Sequence, residues 1–493
     1  MQPASHPTSI LPLPGAAPAA PASPNRFLLT CALVAALGGL LFGFDTVVIS
    51  GAQAQLKEKF ALSGFMQGFM TASALIGTVI GSLIAGKPGD LYGRRRCLAW
   101  SGILFFVSAV GCGLAWDFRS LIAFRIVGGL GIGASTVICP LYLAEISPAQ
   151  WRGRLGAFFQ FNIVLGILLA FLSNYLIGLL DTGAIEWRVK LGVEAFPALA
   201  FWLLLRGIPE SPRWLVMRGR PDEAREILQQ TGAADTDAQV AAIQASLHEE
   251  TSAQQLREPL FRRLHALPVF LAVSVAMFNQ LDGINALLYY LNPIFAMAGF
   301  DKVSGDLQSV VIGVMNLVFT MLGMAIIDRV GRKPLLVAGA IGTGLCLIGV
   351  AWIFQINRFQ GALVYLLVGY IACHAFSQGA VIWVYISEIF PNTVRAKGQA
   401  LGSFTHWIMA AAISWVFPIF AKNAGEPGAG LPFWFFAAMM ALQVVVVLRY
   451  FPETKGVPLE EMQARLRRGP RQDFQTGCRE THEKTRQTLS PES

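Results

Sequence analysis

Charge is what this sequence has little of. Asp, Glu, Lys and Arg make up 14% of its 493 residues, against 54% for the apolar types, whereas a soluble domain carries about 25% charged residues. Such a chain cannot cover a water-facing surface, so the composition excludes an ordinary soluble globule and implies an integral membrane protein. The seven cysteines, Cys31, Cys97, Cys112, Cys139, Cys346, Cys373 and Cys478, are scattered and lack metal-ligand spacing. Free thiols are expected, with no disulfide framework. The apolar runs also lack the alternation of barrel strands, so helices must do the spanning, because they close their backbone hydrogen bonds within one segment. No nucleophile and base arrangement or metal-ligand cluster lies in the runs; no enzyme, cofactor or metal is expected. A cationic leader is missing too, and the first apolar run is too long for a cleaved signal. The net charge of +8 gathers in short loops and the tail, which reads as membrane topology and not as a nucleic-acid surface.

What the chain does have is long apolar runs. Residues 27–56, 60–86, 97–116, 120–144, 155–180 and 191–205 form one series, and 266–300, 307–327, 335–357, 359–387, 398–421 and 431–448 a second. A crossing needs about 20 apolar residues. The expected fold is therefore all-α, with about twelve transmembrane helices in two six-helix bundles. Between the series the chain turns charged. Pro221-Asp222-Glu223 opens an amphipathic pattern through Ala224, Ile227 and Leu228, and another runs through Val240, Ile243 and Leu247, as short helices on one membrane face would. The expected division is a disordered Pro- and Ala-rich tail over 1–26, a first bundle over 27–206, a loop with short helices over 207–265, a second bundle over 266–451 and a tail over 452–493.

An even number of crossings puts both termini on one side. Arg94-Arg95-Arg96, Arg152 with Arg154, Arg329 with Arg332 and Lys333, and Arg395 with Lys397 fall there, against Lys57, Lys59, Arg188 and Lys190 opposite; the positive-inside rule makes the richer side cytoplasmic. The two halves also repeat. Asp90-Leu91-Tyr92-Gly93-Arg94-Arg95 returns as Asp328-Arg329-Val330-Gly331-Arg332-Lys333, and Glu145-Ile146-Ser147-Pro148 with Arg152 returns as Glu388-Ile389-Phe390-Pro391 with Arg395. Repeated halves are the architecture of a transporter whose site lies between them near the midplane.

Asp45 is the single charged side chain of the first run. A carboxylate at the bilayer centre costs roughly 2.5 to 3.5 kcal/mol to insert, so it faces a bundle interior or wet cavity with a partner. Gly39 and Gly43 on the same helix allow close helix approach. Arg125, the only charge between Ser120 and Ala144, is the natural partner. A pair whose separation changes with conformation couples proton binding to that conformation; the alternative is a silent structural pair.

Gly39 to Gly51, Gly86 to Arg96, Arg125 with Gly128 and Gly129, Pro140-Leu141-Tyr142-Leu143-Ala144-Glu145 and Arg152-Gly153 carry a resemblance. Pro209-Glu210-Ser211-Pro212-Arg213, Gln280-Leu281-Asp282-Gly283-Ile284-Asn285, Asp328 to Arg332 and Pro452-Glu453-Thr454-Lys455-Gly456 extend it. In this order they resemble the sugar porters of the major facilitator superfamily from about residue 27 to 456. In that family an Asp at this place of the first helix marks proton-coupled symporters. The resemblance thus implies import of a monosaccharide, hexose or pentose, together with protons by alternating access; a facilitative uniporter and a sugar-binding sensor are the alternatives. Its expected setting is a bacterial inner membrane, its expected partners a monosaccharide, protons and lipid, and its working unit a monomer.

The resemblance also places Gln160, Gln280, Asn285, Asn316 and Trp383 at sugar-contacting positions, with Phe42, Tyr289, Tyr290 and Trp407 lining or gating the cavity. Carboxamides and aromatic faces suit sugar hydroxyls and ring C–H groups; for Asn316, interhelical hydrogen bonding is an equal alternative. Asn279 stands where many relatives have a second Gln, and His406 where Gln or Asn is common. Asp282 replaces a small polar residue such as Ser. It is open to three readings: a second proton site, a partner for a helix dipole, or a carboxylate facing cavity water. His374 reads as a packed histidine, and His406, beside Trp407, as a substrate contact. On the cytoplasmic face, Glu145 with Arg152, Glu388 with Arg395, and Asp90 or Asp328 with nearby arginines such as Arg94 and Arg332 are expected to clamp the two bundles together, joined by Glu210 and Arg213.

Overall fold

The computed structural model describes residues 25–233, 235–255, 259–391, 393–423 and 430–457, with Met462 and Leu466. The expected N-terminal tail up to residue 24 and most of the C-terminal tail lie outside them. Among the described residues every regular element is helical.

The first half holds α1 (Arg26–Val48), α2 (Gly64–Ile84), α3 (Arg94–Leu114), α4 (Phe118–Ile146), α5 (Ala149–Leu179), α6 (Glu186–Gly192) and α7 (Ala195–Leu204). Local chemistry starts several of them: the side chains of Asn25, Ser63 and Asp117 accept from backbone N–H groups of the first turns of α1, α2 and α4, which otherwise have no partner. The middle segment folds as α8 (Pro212–Met217), α9 (Pro221–Gln230) and α10 (Thr236–Gln255). These share a small core of Trp214, Leu215, Ala224, Leu228 and Val240.

The second half holds α11 (Ala266–Leu281), α12 (Ile284–Tyr289), α13 (Leu291–Met297), α14 (Lys302–Val330), α15 (Arg332–Ile356), α16 (Leu363–Phe376), α17 (Gln378–Ile389), α18 (Arg395–Asn423) and α19 (Leu431–Tyr450). Among the described residues, 11 helical stretches are long and apolar enough to cross a bilayer. The run expected as the sixth crossing, 191–205, starts in the last two residues of α6 and continues as α7; α6 and α7 are each too short to qualify alone.

Close approach builds each half. α1 lies against α5 so tightly that a Cβ on Gly43 would run into the Ile163 carbonyl oxygen, which fits the small-residue spacing of that helix. Between halves, α2 packs on α18 and α5 on α14. The second half differs from the first in where its helices break. α11 stops at Asp282-Gly283 before α12, and α16 stops at Ser377 before α17. Broken helices at membrane depth leave backbone polar groups that only a protein interior or a watered cavity can satisfy.

Candidate functional site

The first half contributes buried charge. Asp45 on α1 and Arg125 on α4 are 4% and 1% exposed, and Arg125 Nη1 stands 3.8 Å from Asp45 Oδ1. Arg125 Nε also donates to the Met70 carbonyl, 3.2 Å away on α2. Asp45 Oδ2 has no hydrogen-bond partner among the described residues. A third charge joins them that the sequence reading does not single out. Glu194, 2% exposed at the junction of α6 and α7, interacts electrostatically with both Asp45 and Arg125, and its Oε1 likewise lacks a hydrogen-bond partner among the described residues. Two buried acids and one guanidinium thus lie in the same region of the first half, with the ion pair made by Asp45. The signal that could have found Glu194 is the one that found Asp45, a lone acid in an apolar run.

The second half contributes amides and rings. At the end of α11, Gln280 Nε2 donates to Asn279 Oδ1 at 2.9 Å, and Asn285 Nδ2 from α12 donates to Gln280 Oε1 at 2.7 Å. Gln280 Nε2 lies 3.3 Å from both ring nitrogens of His406 on α18. His406 in turn packs on Trp383 of α17 and on Trp407, with ring centroids 5.0 and 4.8 Å apart. Trp407 meets Phe42 of α1 edge-on at 5.5 Å across the two halves. The structure therefore brings Asn279, Gln280, Asn285, Trp383, His406, Trp407 and Phe42 into one connected patch. Tyr289 and Tyr290 are buried beyond it, and the Tyr290 hydroxyl bonds Thr71 of α2 at 2.9 Å and the Ser414 carbonyl at 3.1 Å. Gln160 on α5 is half-buried and Asn316 on α14 buried; no hydrogen bond joins either to the patch among the described residues. His374 is not a merely packed histidine: its Nδ1 is 2.5 Å from Asp282 Oδ2.

On the face nearest the termini, the expected clamp between halves is replaced by two matching networks inside them. Arg94 makes a two-pronged pair with Glu145 at 2.9 and 3.0 Å and reaches Asp90 at 3.2 Å. Arg332 does the same with Glu388, at 3.2 and 2.8 Å, and Asp328, at 2.9 Å. Glu145 also accepts from Ser211, and Glu388 from Thr454. With Glu145 and Glu388 occupied in this way, Arg152 donates instead to the Ala144 carbonyl and Arg395 to the Phe390 carbonyl. Glu210 caps the start of α3 through the Arg95 N–H, and Glu453 caps α15 through the N–H groups of Arg332 and Lys333. Arg213 bonds Ser246 of α10. Glu453 and Thr454 are counterparts of Glu210 and Ser211 that the sequence reading does not pair; the repeated Pro-Glu-Ser/Thr carries that signal.

Among the described residues, charge pairs that cross between the halves lie on the opposite face. Lys190 of α6, wholly buried, contacts Glu186 at 2.7 Å, the Gly51 carbonyl at 3.1 Å and Asp306 of α14 at 3.4 Å. Lys302 of α14 pairs with Glu186, and Asn292 of α13 donates to Asp306. The two halves are thus tied together here.

Comparison with known proteins agrees with this arrangement. The family described as "Sugar (and other) transporter" matches residues 31–466. The D-xylose-proton symporter of Escherichia coli K12 is 35% identical over 479 residues, covering 89% of this chain and 96% of that protein. The arabinose-proton symporter of Bacillus subtilis 168 is 35% identical over 447 residues, covering 88% and 94%. The inward open conformation of the E. coli xylose transporter XylE superposes with a TM-score of 0.79 at 33% identity, over 89% of this chain and 99% of that one. With the repeated halves, broken helices and family motifs in place, the chain belongs to the sugar porter family of the major facilitator superfamily, multi-pass membrane transporters.

Proposed function

We propose that this protein imports a monosaccharide together with protons, the two halves rocking about a site between them. The observation that carries the reading is the buried Asp45–Arg125 pair, 3.8 Å apart, which joins α1 to α4 inside the first half. When tilting of the halves shifts α1 against α4 and the pair separates, Asp45 loses its counter-charge in a poorly polar setting and takes up a proton; when the pair re-forms, the proton leaves. The amides of Gln280 and Asn285 and the rings of Phe42, Trp383, His406 and Trp407 hold the sugar, with Gln160 and Asn316 reaching it from α5 and α14. Relatives named as xylose-proton and arabinose-proton symporters support a pentose, and one named as a glucose transport protein supports a hexose.

The face nearest the termini is cytoplasmic by the positive-inside rule. Residues 27–206 and 266–451 are the rocking bundles, working as a monomer in the bilayer without covalent chemistry. Proteoliposomes test the coupling: Asp45→Asn is expected to abolish sugar accumulation and sugar-driven proton uptake while sparing counterflow of sugar. Full accumulation by that variant would overturn the reading.

A further inference from the structure

Asp282 and His374 lie outside the machinery just described, and they join the two places where helices of the second half break. Asp282 caps the C-terminal end of α11, wholly buried between α11 and α12. Its Oδ1 accepts from the Ile284 N–H at 2.9 Å, at the start of α12, and its Oδ2 meets His374 Nδ1 at 2.5 Å. One turn earlier on α16, the Tyr370 hydroxyl donates to the Asp282 carbonyl at 3.2 Å. His374 belongs to the last turn of α16, and its own carbonyl accepts from Ser377 N–H at the second break. The link is sequence-distant and short, and holds whichever partner carries the proton.

At the first break the backbone lies close against α19. Gly283 has φ +89°, and a Cβ there would lie 2.5 Å from the Phe436 ring. Gln280 and Asn285, which bond one another across the break, take their direction from the angle between α11 and α12. Trp383 rides on α17 beyond the other break.

We infer that the Asp282–His374 pair positions the carbohydrate site, locking the α11/α12 break to the α16/α17 break so that Gln280, Asn285 and Trp383 keep one mutual geometry. Both are positioning residues. Losing the link frees two helix ends to reorient, which weakens sugar binding without touching the groups that move the proton. The inference rests on the carbohydrate-transport reading.

The test is counterflow of labelled D-xylose, L-arabinose and D-glucose in proteoliposomes holding the full chain, with KM and maximal rate read separately and normalised to folded protein. His374→Ala and Asp282→Ala are expected to raise KM about tenfold or more, the range for a lost bond to a charged group, with maximal rate within about threefold. His374→Asn, which keeps a donor near the Nδ1 position, is expected to restore KM to within about threefold; a purely structural role would lower the folded fraction and leave KM alone. Unchanged KM in the alanine variants, or no rescue by His374→Asn, overturns the inference. Should the alanine proteins fail to accumulate, His374→Gln, which fills the site but moves the donor away from the Nδ1 position, decides, with a KM rise of about threefold or more expected and an unchanged KM refuting. Wild-type protein that exchanges none of the three sugars refutes the transport reading instead.

Discussion

Asp306→Asn should loosen the face opposite the termini, and the structure fixes by how much. Among the described residues two charge contacts cross between the halves there: Lys190 to Asp306 at 3.4 Å, and Lys302 to Glu186. The Lys190–Glu186 contact at 2.7 Å lies within one helix, so it survives when the halves part and keeps Lys190 from being stranded in the variant. The amide oxygen introduced by the substitution can still accept from Asn292. What disappears is the buried charge attraction across the interface, worth about 1.5–3 kcal/mol for a hydrogen bond to a charged group. At about 1.4 kcal/mol per factor of ten, the balance between closed and open forms of this face moves about 10- to 100-fold toward open. Lys302→Gln should shift it less than about fivefold, because the Lys302 side chain is 49% exposed and exposed pairs contribute at most about 1 kcal/mol. The assay is pulsed electron paramagnetic resonance on a chain with its native cysteines replaced and spin labels at Lys59 and Val303, one on each half. A new long-distance population in Asp306→Asn is expected. An unchanged distance distribution, or a larger shift from Lys302→Gln, would refute the reasoning.

Two further predictions concern the networks nearest the termini. Glu145→Gln, which breaks the two-pronged bond to buried Arg94, should cost about 2–3 kcal/mol, whereas Arg152→Ala, which loses one bond to a carbonyl, should cost under about 1 kcal/mol; thermal denaturation of the detergent-solubilised protein ranks them, and the reverse order refutes the intra-half assignment. Glu453→Ala and Glu210→Ala remove matching helix caps and should each cost about 1–2 kcal/mol in the same assay. A several-fold difference between them would mean that the two networks are not equivalent.

The spans are legible in the sequence because a bilayer makes length and apolarity decisive, and Asp45 and Arg125 because an unpaired charge at that depth is expensive. Glu194 obeys the same rule but sits where the expected sixth run begins, and the break between α6 and α7 has no glycine to mark it beyond the end of α6; Pro197, three residues on from Glu194, is the nearest sign. Proximity in sequence misleads at Glu145 and Arg152. Pro148 and the start of α5 at Ala149 turn the chain between them, so Arg94, at the beginning of α3, reaches the carboxylate first. The Asp282–His374 link is illegible for a different reason. It depends on two helix breaks meeting in space, and only one of them, at Gly283, has a glycine in the sequence.

Where sugar and proton are bound in different halves, something must let each bias the same two-state element. α1 touches both sites. Phe42 on it meets Trp407 of the second half, and Asp45 follows three residues later, close enough along a helix to lie on a neighbouring face of the same turn. Thr46 ties its hydroxyl back to the Phe42 carbonyl at 2.6 Å, and Gly43 lets the segment lie flush against α5. On the proposed reading, a ligand that touches Phe42 beside Trp407 bears on the turn of helix that sets the Asp45–Arg125 distance. Moving that turn by a fraction of the 3.8 Å separation alters the stability of the ionised carboxylate, so on the symport reading the sugar and the proton act through one rigid piece of α1 and need no longer path.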